Sequence, residues 1–164
     1  MSGSQTLPWT RACFVCGQDN PHGLHLRCRL EGGRVVIEHT AREADLGWSA
    51  FVHGGITMAL MDEAMAWAAM ARVRRACVTV EMSSRLRRPA TVGMRLRVEA
   101  EVAEANPRLV LATARVLDEQ GRAIASATGK FVPVPPGQAG LRRGDLIAGP
   151  ETLRPEDLFP GSGL

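Results

Sequence analysis

His53-Gly54-Gly55 stands directly before a stretch, Ile56 to Ala71, that reads ITMALMDEAMAWAAMA. Its only polar side chains are Thr57, Asp62 and Glu63. A helix that is apolar all round is normally buried. Neighbouring residues on a helix lie about 100° apart, so Asp62 and Glu63 cannot share a face. At least one of them is expected to point into apolar surroundings, where a carboxylate is costly unless paired, protonated or functional. The His-Gly-Gly segment offers free backbone N–H groups at the positive end of the helix. Donors that can hold an oxyanion, followed about two turns on by a carboxylate, are the parts of an acyl-transfer site.

The elements that must position these groups follow from periodicity. The helix is expected from Gly54 to about Arg72. Before it, Leu24 to Leu30 alternates as a half-buried strand, Gly32-Gly33 is a hairpin turn, and Arg34 to Thr40 is the returning strand. A loop over 41–53 carries Trp48 and Phe51. After the helix the period changes to two. Cys77 to Leu86, Met94 to Ala105, Arg108 to Leu117 and Arg122 to Val132 read as antiparallel strands separated by Pro89–Gly93, Asn106-Pro107 and Asp118–Gly121. One sheet layer cannot cover an apolar helix on every side. The uncovered remainder, or the sheet edge, suggests a dimer. Residues 1–12 read as an arm, 13–132 as the domain, and the Pro- and Gly-rich residues 133–164 as an extended tail that packs on the body or on a partner.

The chain has 164 residues, enough for one domain, and a formal net charge of +3. No apolar run reaches the ~20 residues that span a bilayer, and the first residues lack the apolar core of a signal peptide. A cytoplasmic protein is expected. The arginines cluster at Arg72, Arg74 and Arg75, and again at Arg85, Arg87, Arg88, Arg95 and Arg97, either as solvated surface or as a site for an anionic ligand. With no Tyr and no basic-aromatic interleaving, a nucleic-acid partner is not expected. Cys13-x-x-Cys16, with His22, His25 and Cys28 nearby, has the residue types of a zinc site. The spacing from Cys16 to His25 is short, however, and Cys28 shares the phase of Leu24 and Leu26. No metal is expected, and the Cys residues read as reduced, buried thiols with no obvious base beside them.

His53-Gly54-Gly55, Leu60-Met61-Asp62-Glu63, Cys13-Phe-Val-Cys16-Gly17, Asn20-Pro21-x-Gly23-Leu24 and Arg88-Pro89-x-x-x-Gly93 together resemble the hot-dog-fold acyl-CoA thioesterases, in the phenylacetyl-CoA-pathway branch. The resemblance covers about residues 13–132. It implies an α+β fold in which a curved antiparallel sheet wraps one long buried helix. It implies hydrolysis of acyl-CoA without a further cofactor, by a homodimer or dimer of dimers. The carbonyl oxygen falls to the N–H of Gly54, with Gly55. Asp62, from the other subunit, is general base or nucleophile, and Thr79 positions the water or the carboxylate. His53 either orients the loop or exchanges protons. Contacts to CoA fall on Arg87, Arg88, Pro89, Asn106 and Arg108.

One departure from the family pattern stands out. Many relatives carry an amide side chain shortly before the His, whereas Asp45-Leu46-Gly47-Trp48-Ser49 has none. Ser49 or Thr79 then compensates, or the protein is slow, or it binds acyl-CoA without cleaving it. A hot-dog dehydratase or hydratase is the other enzymatic alternative. Glu63 is the rival acid to Asp62, and is expected to pair with an Arg or with backbone at the subunit interface.

Overall fold

The computed structural model describes residues 3–136, 138, 140 and 143–161. Its centre is α1 (Gly54–Val73), built from Ala, Met and Leu, which are strong helix formers. His53 caps its start with an extended backbone and a side chain that accepts from Gly55 N–H. Arg74 ends it in the left-handed conformation, φ 56°, with its N–H bonded to Met70 O.

A seven-stranded sheet packs against one side of α1. Its strands are β1 (Gln5–Thr6), β3 (Cys28–Glu31), β4 (Arg34–Thr40), β7 (Cys77–Leu86), β8 (Arg95–Ala105), β9 (Val110–Leu117) and β10 (Ala123–Pro133), in the spatial order β1-β3-β4-β8-β9-β10-β7. Every pairing between neighbours is antiparallel. The expected period-two pattern decides which side faces the helix. Leu96, Val98 and Ala100 of β8 and Val110, Ala112, Ala114 and Val116 of β9 are buried beneath Leu60, Met61, Ala64, Met65 and Ala68. The opposite face carries Arg97 paired to Glu31, Glu38 and Glu99, and Arg115 paired to Glu99. Such partly exposed pairs contribute little stability, about 0–1 kcal/mol each. They place Arg97 in a solvated ladder of charges.

Gly32 and Gly33 both take positive φ, 55° and 84°, which matches the twist of the β3–β4 hairpin. The strand expected from Leu24 begins only at Cys28. Leu24 and Leu26 are at least half-buried, but His25 takes φ 56°, and the Leu24 and Leu26 N–H groups donate to Phe14 O and Val15 O. The alternation there reports burial against the 13–17 loop, not a sheet ladder. Asn20 clasps that loop, donating to Ala12 O and accepting from His22 N–H.

The C-terminal segment packs on the body. β11 (Leu146–Ile147) pairs with β2 (Trp9–Thr10), Leu153 N–H donates to Thr6 O, and the short α2 (Pro155–Leu158) is followed by Phe159, which is fully buried. Among the described residues no helix is long and apolar enough to cross a membrane.

Two surfaces are left open in the single chain. β7 is an edge strand beyond β10 and exposes Val78, Val80 and Leu86, with Val80 at 56%. Along α1 the stripe Gly55, Met58, Ala59, Asp62 and Ala66 is exposed or half-buried, and it is the side the sheet does not cover.

Candidate active site

The short strands β5 (Leu46–Trp48) and β6 (Phe51–Val52) form a hairpin that delivers His53 to the start of α1. His53 N–H donates to Asp45 O at 2.8 Å, and His53 Nδ1 accepts from Gly55 N–H at 2.9 Å. Both glycines lie close to side chains that an added Cβ would have to displace. A Cβ on Gly55 would come within 2.9 Å of His53 Nδ1, and one on Gly54 within 2.8 Å of Leu86 Cδ1. The Gly55 N–H is therefore committed to His53. The Gly54 N–H has no partner among the described residues. It is the donor left free at the positive end of the helix. His53 acts here as an orienting cap.

Asp62 and Glu63 diverge as their adjacency requires. Asp62 lies on the open stripe of α1, where its Oδ1 accepts from Thr79 Oγ1 at 2.8 Å. Asp62 Oδ2 has no partner among the described residues. Glu63 turns inward instead. Its partners are Trp67 Nε1, at 2.9 Å from Oε1, and Cys13 Sγ, at 3.5 Å from Oε2. This corrects the expectation of an Arg or interface backbone as its partner. It also gives Cys13 a neighbouring carboxylate that the sequence did not disclose. Burial, then the charge of Cys13, pushes the Glu63 carboxyl up to about 7.

Within one chain Gly54 and Asp62 are far apart. At 1.5 Å rise per residue their separation along α1 is about 12 Å. A reacting carbonyl must sit about 3–3.5 Å from its attacking group, so a carbonyl held by one chain's Gly54 N–H is out of reach of direct attack by the same chain's Asp62.

Gly54 opens onto a cleft of about 290 Å³ lined by Phe51, Thr57, Leu86, Arg87, Arg88 and Pro89. Arg88 donates to Ala123 O at 3.0 Å, while the Arg87 side chain has no polar partner among the described residues. Three of the expected CoA contacts thus gather at the Gly54 end of the helix. Asn106 and Arg108 do not. Asn106 Oδ1 accepts from Arg108 N–H and Leu109 N–H, closing the β8–β9 turn. The register carries Leu86 to Ala125 and Val116, but Thr79 to Phe131 and Val110, so that turn lies at the other end of the sheet.

A second polar group supports the loop before His53. Asp45, 1% exposed, accepts from His39 Nε2 at 2.7 Å, from Arg42 N–H at 2.8 Å and from Arg42 Nη2 at 2.8 Å. Burial pushes its carboxyl up, but the Arg42 side chain and backbone, with His39, outweigh this and hold it below its usual range. A sequence shows Asp45 and His39 only as isolated residues, since their meeting depends on the turn over Arg42. Asp45→Asn is predicted to destabilise the fold by about 2–3 kcal/mol, at the low end for a broken buried pair because Arg42 is partly exposed. Because the folded carboxyl lies below its usual 3.8, its contribution is full above that pH and is lost as pH falls through the folded value. Denaturant titrations of parent and variant should differ at pH 7 and converge at strongly acid pH. An equal gap at both would show that Asp45 acts through packing alone.

Comparison with known proteins completes the picture. Residues 50–125 match the sequence profile described as the thioesterase superfamily. No curated protein matches the chain. Among solved structures, the fold is similar to the E. coli PaaI protein from the phenylacetic acid degradation operon, at 22% identity and TM-score 0.63, over 68% of this chain and 80% of that one. It is similar to the TT0310 protein from Thermus thermophilus, at 27% identity and TM-score 0.61, over 68% and 93%. It is also similar to smu.793 of Streptococcus mutans UA159, solved bound to acetyl CoA, at 18% identity and TM-score 0.60, over 62% and 82%. The antiparallel sheet with one long helix against it is a hot-dog fold. The profile match runs from the turn of the β5–β6 hairpin through α1 and into β10, so the part of the chain that holds His53, Asp62 and Thr79 is the part similar to the thioesterase superfamily.

Proposed function

We propose that the protein hydrolyses acyl-CoA thioesters to the free acid and CoA, at sites shared between two protomers. The observation that carries this reading is Asp62, a carboxylate held by Thr79 on the uncovered stripe of α1 with one oxygen free. Pairing β7 edges antiparallel about a two-fold axis covers Val78 and Val80 and lays that stripe beside the start of the partner helix. Asp62 of one protomer then meets Gly54 of the other. Asp62 takes a proton from water as the water oxygen attacks the thioester carbon, or it attacks that carbon itself to give a mixed anhydride that water then hydrolyses to the free acid and the restored carboxylate. The Gly54 N–H holds the developing oxyanion. Collapse breaks the C–S bond and releases the CoA thiolate, a fair leaving group. The same two-fold brings the Asn106–Arg108 turn of the second protomer to the end of the joint sheet that carries Arg87, so both sets of basic residues serve one CoA. A dimer of dimers leaves this arrangement intact.

A panel of acyl-CoAs of varied chain, followed by release of free thiol, tests the reading and reports the acyl group accepted. The loop over 45–49, which lacks an amide, supports a second reading. Saturable acyl-CoA binding with no thiol release across the panel would make this a binding domain.

The arginines give a separate prediction. Replacing Arg87 and Arg88 by Ala should raise KM about tenfold and change kcat far less, because contacts to phosphate persist from ground state to transition state. The effect should shrink at high salt. A KM equal to that of the parent at low salt would mark both as ordinary surface.

A further inference from the structure

We propose that Cys13, Cys16 and Glu63 bind one zinc ion that pins the N-terminal loop to α1. Their ligand atoms all lie within 4.8 Å of one another, and Cys13 Sγ is 3.5 Å from Glu63 Oε2. Zn–S of about 2.3 Å and Zn–O of about 2.1 Å on a tetrahedron place S and O about 3.6 Å apart. The expectation of no metal rests on ligands drawn from residues 13–28 alone. The fold turns His22 and His25 out to solvent and brings in Glu63, fifty residues from Cys13. Two thiols with one carboxylate suit zinc, whereas the sulfurs disfavour magnesium and calcium.

The surroundings are built for such an ion. Cys13 Sγ accepts from Val15 N–H at 3.3 Å and Cys16 N–H at 3.5 Å, donors that stabilise a thiolate. Gly17 N–H closes the turn on Cys13 O at 2.9 Å. A Cβ at Gly17 would stand 2.3 Å from Cys13 O and 2.5 Å from Cys13 N, all backbone, so the turn that converges the sulfurs requires glycine there. Trp67 Nε1 holds Glu63 Oε1 and leaves Oε2 facing the sulfurs, the outer support that a ligating carboxylate needs. Three protein ligands leave the fourth position to solvent. Binding displaces the thiol protons to solvent as two Zn–S bonds form.

The site is independent of the acyl-CoA reading, and its test uses no turnover. The full chain, purified without chelator and passed through gel filtration after exposure to Zn2+, should carry about one zinc per chain by elemental analysis. Co2+ in place of Zn2+ should give intense thiolate-to-cobalt absorption. Cys13→Ser and Cys16→Ser should each lower the stoichiometry at least fivefold and abolish that absorption, while Cys77→Ser keeps both. Glu63→Gln should weaken Zn2+ affinity at least tenfold in a competition titration. Circular dichroism identifies which of the proteins, the parent included, are folded. Less than about a tenth of an equivalent of zinc in the folded parent overturns the proposal. So does a Cys13–Cys16 disulfide found in its place, zinc retained in both serine variants, or undiminished affinity in folded Glu63→Gln.

Discussion

Asp62→Asn is expected to lower kcat by about a hundredfold or more while leaving the fold in place. Loss of a general base costs on this order, and loss of a nucleophile costs more. The substitution is nearly isosteric. Asn keeps a carbonyl oxygen to accept from Thr79 Oγ1, so the 2.8 Å hydrogen bond survives. Asp62 has no ion pair among the described residues and is not sealed in the core, so its charge contributes little to stability. The unchanged fold and the large kinetic loss together identify a chemical role. Thr79→Ala should be milder, because it frees the carboxylate without removing it. Initial rates under saturating acyl-CoA, with thermal melts alongside, are the measurement. An Asp62→Asn protein turning over within about threefold of the parent would sink the assignment of Asp62.

How much of this was legible in the sequence differs sharply by level. The helix start at Gly54, the Gly32-Gly33 hairpin and the strands Arg34–Thr40 and Cys77–Leu86 stand where periodicity and turn chemistry place them, because those signals are local. The divergence of Asp62 and Glu63 also follows from geometry within one helix. Which of the two faces inward does not, since it depends on where the 13–17 loop lies. That loop captured Leu24 and Leu26, which read as strand residues. The short strands β1 and β2, the pairing of β11 with β2 and the burial of Phe159 rest on long-range contacts that no alternation pattern reports. The same holds for the Asp45–His39 pair, and for the distance between the Asn106 turn and Arg87. The residue types of the site were visible, and the resemblance set Thr79 beside the Asp62 carboxylate; the partners of Glu63 and Asp45 were not visible.

Mixing two inactive variants should restore about a quarter of the parent's activity. His53→Ala removes the cap that holds the Gly54 turn, and Asp62→Ala removes the carboxylate. Each is expected to be inactive alone, since each damages both sites of its own homodimer. Equal amounts, unfolded and refolded together, pair at random, so about half of the dimers are mixed. In a mixed dimer one site joins an intact His53-Gly54 turn to an intact Asp62. The other site carries both lesions. One working site in two, in half of the dimers, is about a quarter of the parent's sites. The physical basis is the separation of about 12 Å between Gly54 and Asp62 along α1, which no side-chain rotation of an aspartate spans. Mass spectrometry of intact dimers confirms the mixing, and thiol release measures the recovery. Mixed dimers without activity, beside a fully active parent, would mean that each site is built within one chain. A path from Gly54 to Asp62 inside a single protomer would then have to exist, and the two-fold pairing of β7 edges would lose its catalytic role while the chemistry of Asp62 stood.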